Sequence, residues 1–259
     1  MKRIVLLIAA LAAAPPALSS SSETVSGDGV ELRLVSAGAP GPDGRLDAVL
    51  EIALEPGWKT YWIDPGEAGV PPSLTLAATG VAIPMRLPHP ASIDEGGVQL
   101  VGYDAPTRFI ASLPAGGGPV DTEVFIGICE KICVPVSGKL TLDPASDPAN
   151  ARDAAIVEEA LLALPGAPGE TFGVTAISIR TDGIAVDAAV PTEAKDAALY
   201  VASAAGWIAG PIAPAMPAAG RAAFTVPVSR DGDAPFPKDG LVYVLVADGR
   251  AVEGRLTQP

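Results

Sequence analysis

Val30-Glu31-Leu32-Arg33-Leu34-Val35 alternates apolar and polar residues, and Arg45 to Leu54 alternates again after the turn Gly41-Pro42-Asp43-Gly44. A period of two puts one face of a strand in a core and the other in water, so the pattern predicts two half-buried antiparallel strands. Glu55-Pro56-Gly57 ends the second. Trp58-Lys59-Thr60-Tyr61-Trp62 resumes the alternation, with Trp58, Thr60 and Trp62 on one face and Tyr61 on the other. Taken alone, that stretch reads as a core strand.

Asp64 to Pro72 reads as a long turn, Ser73 to Leu76 and Val81 to Leu87 as strands, and Pro88-His89-Pro90 as a break. Ser92 to Val98 reads as an acidic, glycine-rich loop, followed by strands over Leu100 to Tyr103 and Arg108 to Leu113. Val120 to Ile128 alternates up to Cys129, and Val134 to Leu142 runs away from Cys133. The cysteines therefore sit on a turn between two strands. Short strands at regular intervals, punctuated by Gly and Pro, predict an antiparallel β-sandwich over roughly residues 24–144. A thioredoxin fold is disfavoured, because it needs a long helix after its cysteines and Pro135 with the alternation that follows offers none.

Beyond the sandwich, Asp143-Pro144-Ala145-Ser146-Asp147-Pro148 reads as a linker. Asn150 or Asp153 can cap a helix in which Ala154, Val157, Ala160, Leu161 and Leu164 form an apolar stripe, stopped by Pro165-Gly166. Strand patterns return over Val174–Ile179, Ile184–Val190, Leu199–Ala202, Ala222–Val228 and Leu241–Ala247. They predict a second, smaller β-domain over 170–259, read as a scaffold or docking module because it holds no cysteine or histidine.

The amino terminus changes the setting. Lys2 and Arg3 precede an apolar run from Ile4 to Ala14, and small residues around Ala12-Ala13-Ala14 or Ala17-Leu18-Ser19 offer cleavage sites. Residues 1–22 are expected to be a secretory signal peptide, leaving a soluble, exported chain with no membrane span. Without Lys2 and Arg3 the formal charge is (17 − 2) − 30 = −15. That argues against nucleic acid and anionic lipid as partners. With 49% hydrophobic residues the chain is too apolar for disorder, despite 28 glycines and 27 prolines.

Export also permits disulfides, so Cys129 and Cys133, the only 2 cysteines, form a natural pair. In an extended strand their Cα atoms would lie about 13 Å apart, too far to bond, so the segment must fold back as a tight turn or one helical turn. A ring of about five residues stabilises a fold by only ~2 kcal/mol. Such a pair is a poor staple and suits an exchangeable dithiol, with a local structural clip as the alternative.

Other chemistry has little support. His89 is the only histidine and no Gly-x-Ser-x-Gly elbow, phosphate loop or His-Glu-x-x-His occurs. Trp58, Tyr61, Trp62 and Tyr103 are candidate pocket-lining residues; the first three could line a sugar site, but core packing is the stronger reading of them. Cys-x-x-x-Cys before proline resembles the Sco-type copper site, which makes a copper chaperone with ligands Cys129, Cys133 and His89 one rival. Against it, His89 precedes the cysteines in a β-rich chain. A non-catalytic sandwich module with a structural disulfide is the other.

Pro56-Gly57-Trp58-Lys59-Thr60-Tyr61-Trp62, Pro65-Gly66-Glu67-Ala68-Gly69, Asp94-Glu95-Gly96-Gly97 with Gly102-Tyr103, and Cys129…Cys133-Val134-Pro135, in this order, resemble the amino-terminal periplasmic domain of the DsbD/ScsB family of thiol:disulfide interchange proteins. The resemblance implies an all-β protein: an immunoglobulin-like antiparallel sandwich over 23–145, a linker and helix over 146–169, and the second β-domain. It implies a periplasmic module relaying electrons through Cys129 and Cys133, with Cys133 forming mixed disulfides and Cys129 resolving them. Asp94, Glu95, Gly96 and Gly97 match the family's cap, which covers the pair and moves aside on docking. Partners would be thioredoxin-like redox proteins and a separate membrane electron donor, since this chain lacks the family's membrane and thioredoxin domains; no cofactor or metal is expected. The Gly96-Gly97 pair departs from better-known members, which carry aromatic rings there, and the three-residue cysteine spacing resembles the ScsB-like branch.

Overall fold

A computed structural model of the protein describes residues 20–114, 118–181 and 183–258. The expected signal peptide falls mostly on residues 1–19, outside the described residues. The first domain runs through β1 (Val25–Gly27), β2 (Val30–Ser36), β3 (Arg45–Leu54), β4 (Lys59–Gly66), β5 (Ser73–Leu76), β6 (Met85–Arg86), β7 (Ala91–Glu95), β8 (Val98–Tyr103), β9 (Thr107–Pro114), β10 (Val120–Cys129) and β11 (Cys133–Leu142). They form two antiparallel sheets, β1-β2-β3-β9-β6 and β11-β10-β4-β8-β7, with β5 also paired to β10. The predicted alternation becomes a shared core: Leu32, Leu34, Leu50, Ile52 and Phe109 from one sheet meet Trp62, Val124, Ile126, Ile128 and Leu140 from the other. This is the expected immunoglobulin-like sandwich.

Three details differ from the sequence reading. β4 continues through Gly66, where a turn was expected. Residues 81–87 give only the two-residue β6, because Pro84 has no N–H to give a ladder. Residues 92–98 are a hairpin rather than a loop: Gly96 and Gly97 take φ of 64° and 96°, the positive values that a two-residue turn matched to strand twist requires. At the other end the sandwich begins earlier than residue 23. Ser36 donates its N–H to Ser20 O at 2.9 Å and Ser22 donates to Leu34 O at 2.8 Å, with Ser20 fully buried.

Helix α1 spans Ala151–Leu162, and the Asn150 side chain caps it by accepting from the N–H groups of Arg152 and Asp153. Its buried face is Ile156 and Ala160, flanked by Val157 and Leu164, packed on Val35, Val49 and Ile110. Ala154 and Leu161, expected on that stripe, face solvent instead. The helix thus covers the outer side of the β2-β3-β9 sheet.

The second domain contains β12 (Gly173–Ile179), β13 (Gly183–Ala189), β14 (Ala197–Val201), β15 (Trp207–Ala209), β16 (Arg221–Arg230), β17 (Leu241–Ala247) and β18 (Arg250–Leu256). Its sheets are β12-β13-β16-β15 and β14-β17-β18. The three-stranded sheet is buried on both sides. Leu199, Val201, Tyr243 and Leu245 enter the second core, whereas Tyr200, Ala202 and Val244 join the core of the first domain. Tyr200 meets Trp62 edge to face at 6.3 Å between centroids, and Asp64 accepts the Ser203 N–H at 2.6 Å. Among the described residues, no helix is long and apolar enough to cross a membrane.

Candidate functional site

Cys129 and Cys133 pair directly across the β10–β11 hairpin, leaving Glu130-Lys131-Ile132 as its loop. The fold-back is therefore a hairpin turn, and it brings the Cα atoms to 4.1 Å with the sulfurs bonded. Alternation along β10 sends Val124, Ile126 and Ile128 into the core and Cys129 to the opposite, outward face. The two cysteines are not equivalent: Cys129 is 5% exposed, while Cys133 is an exposed residue. Ile132 beside it is 75% exposed.

Two elements, β4 and the β7–β8 hairpin, surround the pair. Tyr61, on the outward face of β4, donates its hydroxyl to Cys133 Sγ at 3.1 Å. Its ring lies against Gly127, where a Cβ would come 2.9 Å from Cε2, so only glycine fits. Burial, and secondarily the nearby Glu95 carboxylate, push the Tyr61 phenol above its ordinary value, so it keeps its proton and stays a donor. The β7–β8 hairpin supplies Ile93 and Leu100, which pack with Tyr61 and Cys129. Finally Lys59, the register partner of Cys129 on β4, places Nζ 2.6 Å from Glu95 Oε1. Pairing alone puts Glu95 at the far tip of the hairpin, so this contact means that the hairpin curls over the disulfide.

The expected site residues separate into two groups. Tyr61 bonds Cys133 Sγ and Glu95 holds Lys59 beside Cys129, whereas Asp94 bonds within the hairpin: its Oδ1 accepts from Gly97 N at 3.3 Å and its Oδ2 from Gln99 Nε2 at 2.7 Å. Gly96 and Gly97 form the exposed tip and shield nothing. The apolar cover comes from Ile93 and Leu100, in keeping with Gly96-Gly97 standing where better-known members of the resembled family carry rings. Trp58, Trp62 and Tyr103 lie elsewhere, in or against the sandwich core. Trp62 also lines a cleft of about 430 Å³ between the domains, with Gln99, Val101, Tyr200 and Ile212. Tyr103 donates its hydroxyl to Pro88 O at 2.8 Å. His89 Nδ1 lies 3.3 Å from the carbonyl of Pro90, and no cluster of three His, Cys, Asp or Glu side chains fit to hold a metal occurs among the described residues. The copper reading therefore has no gathered ligand set. Lys59, Ile93 and Leu100 went unnoticed in sequence. Their signal was the alternation on both sides of Gly96-Gly97, which marks a hairpin.

The sandwich thus carries a bonded cysteine pair at a hairpin end, with Cys133 exposed and Cys129 covered by a second hairpin. Residues 33–145 match the family described as thiol:disulfide interchange protein DsbD, N-terminal. The fold is also that of the N-terminal periplasmic domain of ScsB from Proteus mirabilis, with a TM-score of 0.73 at 23% identity, covering 93% of this chain and 100% of that one. No curated protein matches the chain.

Proposed function

We propose that the chain acts in the periplasm as a thiol:disulfide interchange module, passing electron pairs between protein partners through Cys129 and Cys133. The observation that carries this reading is the unequal exposure of two bonded cysteines. Exchange needs an accessible sulfur for the incoming thiolate and a protected one to close the ring again. Reduced Cys133, as thiolate, attacks one sulfur of a partner's disulfide; a mixed disulfide forms and the partner's other sulfur leaves, taking a proton. Cys129 thiolate then attacks Cys133 Sγ and expels the partner's second sulfur as a thiol. Two electrons and two protons have passed to the partner. A thioredoxin-like dithiol supplied by a membrane electron donor reverses these steps and recharges the pair. The family match and the ring of few residues support the same reading, and the acidic Asp94-Glu95 tip suits a cap that keeps small thiols away.

The test is reduction and trapping. The pair should equilibrate reversibly with a dithiothreitol or glutathione buffer, and Cys129→Ser should accumulate mixed disulfides through Cys133 with exported thioredoxin-like proteins. Cys133→Ser should trap far less, because Cys129 is covered. A pair that stays oxidised in strong dithiothreitol would overturn the proposal and leave a structural clip.

A further inference from the structure

We propose that Lys59 is the positioning residue of this site: its ammonium latches the β7–β8 hairpin shut through Glu95, and once the hairpin lifts, the same ammonium favours the thiolate beside it. This rests on the exchange function proposed above and adds how the site is regulated.

The two ends of the ion pair differ in freedom. Lys59 sits on β4, whose pairs Thr60–Ile128 and Lys59–Cys129 tie it to the cysteine strand, so it cannot leave the site. Glu95 sits at the tip of β7, which pairs with β8 alone. β8 in turn is held to β4 through Tyr103, Gly102 and Leu100, with the register broken between Tyr61 and Gly66. On its far side the hairpin presents Ser92 and Gln99 to the interdomain cleft, while Val101 packs against the sandwich core. Gln99 also donates its N–H to Glu67 Oε2 at 2.7 Å and accepts the Glu67 N–H at 3.1 Å, which ties β8 and leaves the tip itself held over the disulfide by Ile93, Leu100 and this ion pair. The side chains of the ion pair are only 16% and 33% exposed and so are screened less than a surface pair.

Electrostatics follow from the same geometry. In the closed state Glu95 neutralises Lys59, and the thiols face no net cation. Residues directly opposite on one face of a sheet have Cβ atoms about 5 Å apart, which leaves the Lys59 ammonium within reach of Cys129. Lifting the hairpin carries the Glu95 carboxylate away and leaves the cation, which stabilises a thiolate. The other charged or titratable groups around the pair are Glu130 and Lys131 in the cysteine loop, which pair with each other at 3.7 Å, Asp94 on the hairpin, bonded to Gln99, the exposed Asp104 just past β8, and the Tyr61 hydroxyl on Cys133. None of them is both fixed to the cysteine strand and bound to the hairpin. Docking would thus uncover the sulfurs and activate them in one movement.

The experiment reads Lys59→Met, Glu95→Gln and Lys59→Arg in two ways. In the oxidised protein, amide hydrogen exchange over the β7–β8 hairpin should speed up several-fold in the first two variants and stay near wild type in Lys59→Arg. In the reduced protein, the pH profile of alkylation by iodoacetamide should move in opposite directions. Glu95→Gln lowers the apparent thiol pKa and Lys59→Met raises it, the two ending about one unit apart, with Lys59→Arg again near wild type. Unchanged hairpin exchange, or pKa shifts that are absent or of one sign, would overturn the latch. A wild-type pair that no dithiol reduces would overturn the exchange function instead, and hairpin exchange in the oxidised protein would then decide the latch alone.

Discussion

Tyr61 meets every part of the site at once: its ring rests on Gly127, its hydroxyl on Cys133 Sγ, and Glu95 lies close enough to raise its pKa. A hydrogen bond to a charged acceptor contributes about 1.5–3 kcal/mol, so this donor should stabilise a Cys133 thiolate more than a thiol. Tyr61→Phe is expected to raise the Cys133 pKa by about one unit, read from the ultraviolet thiolate absorbance of the reduced Cys129→Ser background. A second tyrosine predicts the alkaline limit of the fold. Burial first, and Glu253 second, push the Tyr103 phenol far above its ordinary value. For a group whose pKa is raised by folding, the stability is fully present below the unfolded value, near 10 for tyrosine, and is lost as the pH climbs through the folded values. Urea denaturation should therefore show stability falling above about pH 10, more gently in Tyr103→Phe than in wild type.

At the scale of elements, the cysteine hairpin and the cap hairpin were legible to different degrees. β3, β5 and β17 begin and end where the alternation and its punctuation place them, because each has polar or turn residues at both ends. β10 and β11 were equally clear, and so was the turn between the cysteines. The cap was legible only in part: Leu100 to Tyr103 reads as a strand, whereas Asp94-Glu95-Gly96-Gly97 reads as a loop by composition, and pairing in space makes Ala91–Glu95 the first strand of a hairpin. Of the predicted helix stripe, Val157, Ala160 and Leu164 meet the sheet, while Ala154 and Leu161 face solvent and Ile156, not in that stripe, is buried beside Ala160. The hairpin geometry carries its own prediction. A β-branched residue at Gly97 must adopt φ near 96°, which costs roughly 1–2 kcal/mol locally. Gly97→Val should fray the tip, so that dithiothreitol reduces the disulfide faster while the melting temperature of the whole protein changes little.

At the scale of the molecule, the two β-domains share a wall. The β14-β17-β18 sheet presents Leu199, Val201 and Leu245 to its own domain and Tyr200, Ala202 and Val244 to the sandwich, so each domain lacks part of its core without the other. The continuous apolar run Leu241-Val242-Tyr243-Val244-Leu245-Val246-Ala247 is the sequence mark of a strand buried on both faces. Val244 is fully buried, and an aspartate there would place a carboxylate between the domains with no partner, at a cost of several kcal/mol. Val244→Asp is expected to lower the melting temperature of both domains together in a single calorimetric transition. Two transitions, with only one moved, would show instead that the domains unfold independently.

Period-two alternation, the Gly and Pro punctuation and a lone pair of cysteines four residues apart were enough to specify strands, a sandwich and a cysteine pair folded back on a turn, because these depend on neighbours along the chain. Which cysteine is exposed, what covers the other, and that Lys59 on β4 holds Glu95 on β7 depend on how a hairpin curls across a sheet. That curl brings together residues tens of positions apart, a proximity that local pattern does not encode.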